Sequence, residues 1–348
     1  MSVLLAGKRI LLIGGAGFIG HNLALKLKEL GAELWILDSL QVNNFLSFLS
    51  FQEGKGNKDL SMKILGERLR LLREAEIPLY PLDCRDYHGM QRYMEDLEPN
   101  VVIHLAAVAH ANKSNRDPYS TFDHSFRTLE NALDCTRERG GHFIYFSSSM
   151  VYGHFQGNFV VEETRCEPLG IYGALKFGGE KLVIAYNQVF DMPYTIIRPS
   201  ALYGERCVSR RVGQIFIENA IQGLGITVNG DGSDRLDFTY IGDLINGIIQ
   251  IIANENAKNQ IFNLTYGEGR SIAEMVDILK EYFPNVNVEY LPKDRLMPDR
   301  GTLSVDKARE LIGYDPQYPL EKGFERYVNW YKDLFKDFSG SGKINLIF

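Results

Sequence analysis

The chain has 348 residues, 45% of them hydrophobic and 24% charged, with four cysteines and a formal net charge of −6. That acidic balance argues against nucleic-acid binding, which needs a basic face, and no apolar run has the length of a bilayer span or the shape of a signal peptide, so a cytoplasmic protein without a membrane partner is expected. Cys84, Cys135, Cys166 and Cys207 form no Cys-x-x-Cys pair, which removes a zinc knuckle or a disulfide framework as the organising feature.

Arg9–Ile13 is a β-branched and Leu run that leads into Gly14-Gly15-Ala16-Gly17-Phe18-Ile19-Gly20 and a helical pattern over His21–Leu30. Strands are expected again at 32–37, 77–81, 101–105, 142–147, 194–198 and 260–264. Near-continuous apolar strands separated by helices imply a parallel sheet buried on both faces, and right-handed crossovers make it a doubly wound, Rossmann-type α/β sheet. Between the second and third strands, Ser39–Glu76 is long for a connection and holds Phe45, Phe48 and Phe51 before a helix pattern from Asp59 to Glu76. It reads either as a helical excursion packed on its own domain or as a subunit contact. Past Pro199 the alternation loosens, and 206–232 and 273–336 read as helices joined by turns. The expected division is a Rossmann domain of 1–200 with 238–266 returning to it, a smaller substrate-binding domain of 201–237 and 267–338, and a flexible tail, 339–348.

The glycine-rich run stands between the first strand and first helix. There, glycines permit a tight turn and a close backbone approach to a pyrophosphate, and the helix N-terminus supplies a positive dipole. Asp38 closes the second strand, where a carboxylate hydrogen-bonds an adenosine ribose and repels a 2′-phosphate, favouring NAD over NADP. Tyr-x-x-x-Lys occurs twice. The pair Tyr318 and Lys322 encloses a proline, has no hydroxyl-rich strand nearby and reads as surface structure. Tyr172 and Lys176 share one helix face, where an ammonium favours phenolate and makes the tyrosine a base for a hydroxyl proton. Ser147-Ser148-Ser149 ends the fifth strand, at the carboxyl edge where doubly wound sheets build their sites. His104 is expected to be a buried core residue, and His110 beyond it is a substrate-facing candidate.

With these motifs stand Leu82-Asp83-Cys84-Arg85-Asp86, His104-Leu105-Ala106-Ala107, Val151-Tyr152-Gly153, Arg198-Pro199 followed by Leu202-Tyr203-Gly204, Asp237-Phe238-Thr239-Tyr240 and Gly313-Tyr314-Asp315-Pro316. Through them, residues 8 to 335 resemble the extended short-chain dehydrogenases/reductases of the NAD-dependent epimerase/dehydratase type, the nucleotide-sugar group. The resemblance implies tightly bound NAD, a nucleotide-diphosphate sugar substrate and a homodimer or homotetramer. It makes Tyr172 the base, Lys176 the holder of the nicotinamide ribose and the depressor of the Tyr172 pKa, and Ser148 the hydroxyl that bonds the reacting oxygen. Gly14, Ala16, Gly17, Phe18, Ile19 and Gly20 would cradle the cofactor diphosphate and Asp38 its ribose. Asp83 and Cys84 would flank the adenine, and Leu105, Ala106, Ala107 and Pro199 would line the rest. Ser149, Arg206, Arg235 and Arg300 are the substrate candidates, with Arg210 and Arg211 as further guanidinium forks that suit a diphosphate.

Departures from the family pattern narrow the implied reaction. The 4,6-dehydratases place Asp-Glu after the catalytic Thr, where this chain has Ser149 and Met150, and a thioether cannot do acid–base work. Epimerases acting at carbons 3 and 5 use a Cys at the Met150 position and a His at the Arg206 position, and both are absent. His124, Ala201 and Leu236 replace the Asn, Asn and Arg usual in galactose epimerases. The expected reaction is therefore NAD-dependent oxidation at carbon 4 of the sugar, by a 4-dehydrogenase or 4-epimerase of bacterial surface-carbohydrate biosynthesis. Arg198–Cys207 resembles the GDP-heptose 4-dehydrogenase relatives. The alternatives are a 4-ketoreductase and a non-catalytic NAD(H)-binding relative.

Overall fold

A computed structural model describes residues 5–49, 58–108, 111–157, 159–292 and 298–340. Seven strands form one parallel sheet: β1 (Arg9–Ile13), β2 (Glu33–Asp38), β3 (Leu79–Pro81), β4 (Val101–His104), β5 (His142–Phe146), β6 (Tyr194–Arg198) and β7 (Gln260–Asn263). Their order across the sheet is β7-β6-β5-β4-β1-β2-β3. β1 lies inside the sheet, and four of its five residues are fully buried, as a strand covered on both faces requires. It pairs with β2 on one side and β4 on the other, Ile13 lying in register with both Leu37 and His104. From β1 the chain winds outward in one direction to β3, then returns to continue from β4 the other way. The connections therefore diverge at the carboxyl ends of β1 and β4 and open a crevice there.

Helices α1 (Phe18–Glu29), α2 (Lys58–Glu74), α3 (Tyr87–Leu97), α4 (Thr128–Arg137) and α5 (Gly170–Phe190) accompany the first six strands. Two apolar clusters lie on the sheet. Leu12, Ile36 and Ile103 point into the larger, and Leu11, Leu37 and Val102 into the smaller, as period-2 strands require. Phe45 and Phe48 pack against the larger cluster while Leu46 is 49% exposed. This part of the 39–76 excursion thus belongs to its own fold. Phe51 and His110, and the tail beyond Gly340, lie outside the described residues.

Past β6 come α6 (Val212–Ile221), α7 (Ile241–Ala253), α8 (Ile272–Tyr282), α9 (Asp306–Ile312) and α10 (Leu320–Gly340). The expectation of helices and turns over 206–232 and 273–336 is corrected by one strand pair, Ile226–Asn229 with Val288–Leu291, and a second pair, Arg235–Asp237 with Gly269–Ser271, lies just outside those stretches. Each strand has three or four residues and a partner distant in sequence, so no local periodicity announces it. Helix α10 runs through Gly340, so the first two residues expected in the tail are helical.

Candidate active site

The crevice begins where β1 turns into α1. Gly14 has φ +78°, its N–H donates to the Leu37 carbonyl at 2.7 Å, and a Cβ there would stand 2.6 Å from the Ala106 nitrogen. A Cβ on Gly20 would meet the Gly15 oxygen at 2.3 Å. A side chain at either position would collide with backbone already in place, so the two glycines permit the close packing behind the α1 N-terminus. Asp38, at the end of β2, accepts from the Ala16 N–H at 2.9 Å and the Leu40 N–H at 2.7 Å. Burial raises its pKa, and those two N–H groups and the Arg68 guanidinium oppose the rise. A carboxylate has acceptor sites beyond the two used. On the far wall, hydrogen bonds from Arg85, as short as 2.6 Å, hold the Asp83 pKa down. Arg85 also reaches Asp123 at 2.5 Å. Burial pushes the Cys84 thiol up, which leaves it an inert wall. Gly14, Gly17–Gly20, Asp38, Asp83, Cys84 and Leu105–Ala107 thus face one continuous groove.

Next to the groove lies a pocket at the ends of β5 and β6. Ser148 caps the turn Ser149–Tyr152 by accepting from the Met150 N–H at 3.2 Å, and it lines one pocket with Tyr172. Helix α5 carries Tyr172, Lys176 and Glu180 four residues apart, on one face turned to the sheet. Glu180 is 1% exposed; it accepts from Arg198 at 2.8 and 2.7 Å and from the Ser147 hydroxyl at 2.5 Å. This buried bidentate pair fixes α5 across the carboxyl edge of the sheet. Lys176 Nζ donates to the Phe146 carbonyl at 2.6 Å and sits 5.1 Å from the Tyr145 ring centre. Burial lowers its pKa to about 8, with Glu180 opposing. Burial raises the Tyr172 pKa, and the charge of Arg211 and the Ser148 hydrogen bond work against that rise. Arg211 thus joins Lys176, the cation expected from the sequence, in the pocket that holds the phenol.

Ser148, Ser149, Tyr172, Lys176, Pro199 and Arg300 all line this pocket. Arg300 also lines an outer cavity together with Arg235, whose guanidinium donates to the Gly269 carbonyl. Arg206 is a correction. Its backbone has φ +64°, and its guanidinium turns back to His21 (3.0 Å), Asn22 (2.9 Å) and Glu67 (3.4 Å), so it braces α1 against α2 and does not reach the substrate pocket. Tyr318 and Lys322 stand beside Tyr240 and Arg326 at the start of α10, away from the pocket. His104 is buried, and burial followed by the Lys176 charge holds its pKa to about 3, so it is neutral. Among the groove-lining residues that the sequence reasoning did not assign to the cofactor are Arg68 on α2 and His124 in a π-helical turn, Asp123–Arg127, while Arg211, expected only as a diphosphate candidate of the substrate, lines the groove as well. The π turn had no sequence signal, whereas His124 was visible as a departure from the family's Asn. Among the described residues no group of His, Cys, Asp or Glu has the arrangement of a metal site, and no helix is long and apolar enough to cross a membrane.

The model of the NAD-dependent epimerase/dehydratase family matches residues 10–265. The chain belongs to that family. It is an NAD-dependent enzyme of the extended short-chain dehydrogenase/reductase group that works on nucleotide sugars. A Methanocaldococcus jannaschii protein provisionally named UDP-glucose 4-epimerase is 31% identical, over 93% of this chain and 98% of its own. The UDP-glucuronate 4-epimerase of Thermodesulfobacterium geofontis is 26% identical, with 93% and 96% covered. Among solved structures, the UDP-glucose 4-epimerase of Thermotoga maritima with UDP-glucose superposes with a TM-score of 0.81 at 25% identity, covering 94% of this chain and 99% of that one.

Proposed function

We propose that this family member oxidises carbon 4 of a nucleotide-diphosphate sugar to a 4-keto sugar, as a 4-dehydrogenase or 4-epimerase of surface-carbohydrate biosynthesis. The observation that carries the reading is that Ser148, Tyr172 and Lys176 line one pocket at the carboxyl edge, which shares a wall with the groove of the glycine cradle and Asp38. The groove suits a dinucleotide: Gly14, Gly17 and Gly20 line it with bare backbone at the α1 N-terminus, and Asp38 stands where an adenosine ribose would lie. Gly14–Gly20 would hold the diphosphate, Asp38 the ribose, Asp83 and Cys84 the adenine edge, and Leu105–Ala107, Lys176 and Pro199 the nicotinamide end. NAD, when bound, supplies the acceptor for a hydride from the sugar carbon.

The chain's own residues handle the proton. Tyr172 takes it from the sugar hydroxyl at its phenol oxygen, and Ser148 orients that hydroxyl. Arg211 favours the phenolate that Tyr172 must present. Lys176, fixed on the Phe146 carbonyl, keeps a positive charge buried behind the reacting groups. Met150, beside Ser149 in the pocket wall, offers no acid or base, which separates this site from a dehydratase. The likeness of Arg198–Cys207 to GDP-heptose enzymes keeps a GDP-linked heptose among the substrates to assay.

We further propose that residues 1–200 with 238–266 are the cofactor-binding unit, with 201–237 and 267–338 receiving the sugar nucleotide. A homodimer is supported by the apolar face on α5 and the adjoining helix Pro118–Phe122. Tyr119 on that helix and Val189 and Phe190 on α5 are 86%, 69% and 44% exposed, apolar surface that a partner subunit would cover.

The test is to load the protein with NAD, offer UDP- and GDP-linked sugars, and follow NADH formation and trapped keto sugar. Turnover that disappears in Tyr172→Phe is expected, with a loss of about 10²–10⁴-fold. A Tyr172→Phe protein as active as wild type would refute the assignment and favour the non-catalytic alternative.

A further inference from the structure

Arg68, on α2, lines the dinucleotide groove together with Asp38, Ser39 and Asn43, and it is 1% exposed. Its Nε and Nη2 both donate to the Arg206 carbonyl, the first at 2.9 Å. Nη1 is buried and has no hydrogen-bond partner among the described residues. Burial lowers the Arg68 pKa to about 10, so the side chain is charged at neutral pH. Asp38 is the carboxylate whose charge acts on it, and Asp38 already accepts from the Ala16 and Leu40 N–H groups. A neutral donor would satisfy the Arg206 carbonyl, whereas a buried guanidinium with one nitrogen unused is costly to keep. The charge is better matched to an anionic ligand in the groove.

The surroundings of Arg68 say which anion. Arg206, whose carbonyl holds Arg68, donates from its own Nε to His21 Nε2 at 3.0 Å, and His21 Nδ1 donates to the Gly17 carbonyl at 2.8 Å. These bonds run from Arg68 to the glycine cradle and the first turn of α1. Asp38 reaches the same loop through Ala16. The charged groups of a dinucleotide are its two phosphates, and a helix N-terminus offers them only about half an elementary charge. We propose that Arg68 is a further cofactor-binding residue, whose Nη1 donates to the diphosphate of NAD. This rests on the reading of the groove as the NAD site. Backbone N–H groups and the α1 dipole meet the diphosphate from the cradle, and Arg68 adds a full counter-charge through a charge-assisted hydrogen bond. The 39–76 excursion, long for a connection between adjacent strands, thereby has a function: it carries this cation to the groove.

The experiment titrates NAD, NADP, ADP and adenosine into cofactor-free wild type, Arg68→Met and Arg68→Lys by calorimetry. ADP carries a diphosphate, and adenosine the base and ribose alone. Arg68→Met is expected to weaken NAD and ADP by about 10–100-fold, the worth of a charge-assisted hydrogen bond, and to leave adenosine within about threefold. Arg68→Lys should recover part of the ADP affinity. Equal losses for ADP and adenosine would leave Arg68 a brace for the Arg206 loop and overturn the proposal. So would a loss confined to NADP, which would assign the guanidinium to a 2′-phosphate. A crystal structure of the wild type with NAD gives the answer even where neither variant folds. Nη1 within hydrogen-bond distance of a phosphate oxygen is expected there, and a diphosphate out of its reach overturns the proposal. NAD bound outside the groove would instead sink the reading of the groove on which the proposal stands.

Discussion

Replacing Lys176 with Met should abolish turnover and make the protein more stable at neutral pH. Lys176 is 7% exposed, and burial lowers its pKa from 10.5 to about 8. Holding the ammonium charged in that site therefore costs about 3 kcal/mol. Met has a similar length and flexibility and fills irregular apolar space well. It forfeits the bond from Nζ to the Phe146 carbonyl, a loss of about 1–2 kcal/mol. Glu180 keeps both Arg198 bonds and is not left uncompensated. The net expectation is a gain of about 1–2 kcal/mol. Its pH dependence identifies the cause. Below about pH 8 the lysine is charged in both the folded and unfolded chains, and the wild type bears the whole cost. Between about 8 and 10.5 the folded protein releases its proton first, so wild-type stability rises with pH and the advantage of Met shrinks. Urea unfolding of both proteins at neutral pH and near the upper end of that window measures the difference. A variant less stable at neutral pH, or an advantage that does not change with pH, would refute the argument that charge burial at Lys176 is what the fold tolerates for the sake of chemistry.

Other consequences follow from the loop geometries and the exposed face. Gly14→Ala puts a Cβ 2.6 Å from the Ala106 nitrogen at φ +78°, so NAD affinity in a fluorescence titration should fall by about tenfold or more. Ala201 occupies a left-handed conformation, φ +38°, which costs a non-glycine residue about 1 kcal/mol. Ala201→Gly should therefore raise Tm by about 1–3 °C, and a fall would show that the loop relaxes around the alanine at no cost. If the proposed homodimer forms through α5, Val189→Asp on its exposed face should shift it toward monomer in sedimentation velocity; an unchanged sedimentation coefficient would refute that interface.

What the sequence made legible, and what it did not, divides by how far each feature depends on its own neighbours in the chain. The cradle needed only a strand, a glycine run and a helix in succession, and Asp38 needed only to end the next strand. Tyr172 and Lys176 are one turn apart, so any helix through them puts them on one face. The inward turn of Phe45 and Phe48 and the outward turn of Leu46 were not determined by their apolar character, which all three share; the packing of α2 and the sheet decides it. The arginines show the same limit most sharply. Arg206, Arg210 and Arg211 lie within six residues on a loop, all equally plausible as diphosphate ligands by residue type. The backbone then separates them, with left-handed φ values at Ala201, Arg206 and Arg210 turning the chain through this segment. Arg206 is turned back to α1, and its carbonyl accepts from Arg68, 138 residues earlier. Arg210 pairs with Glu218 on α6, and only Arg211 enters the reaction pocket. Arg68 itself reads as one charged residue on an amphipathic helix, which is ordinarily solvated; its burial in the groove wall exists only because that loop folds over it. A sequence pattern limits which side chains a site can draw upon, and non-local packing of the loop selects the one that enters the pocket.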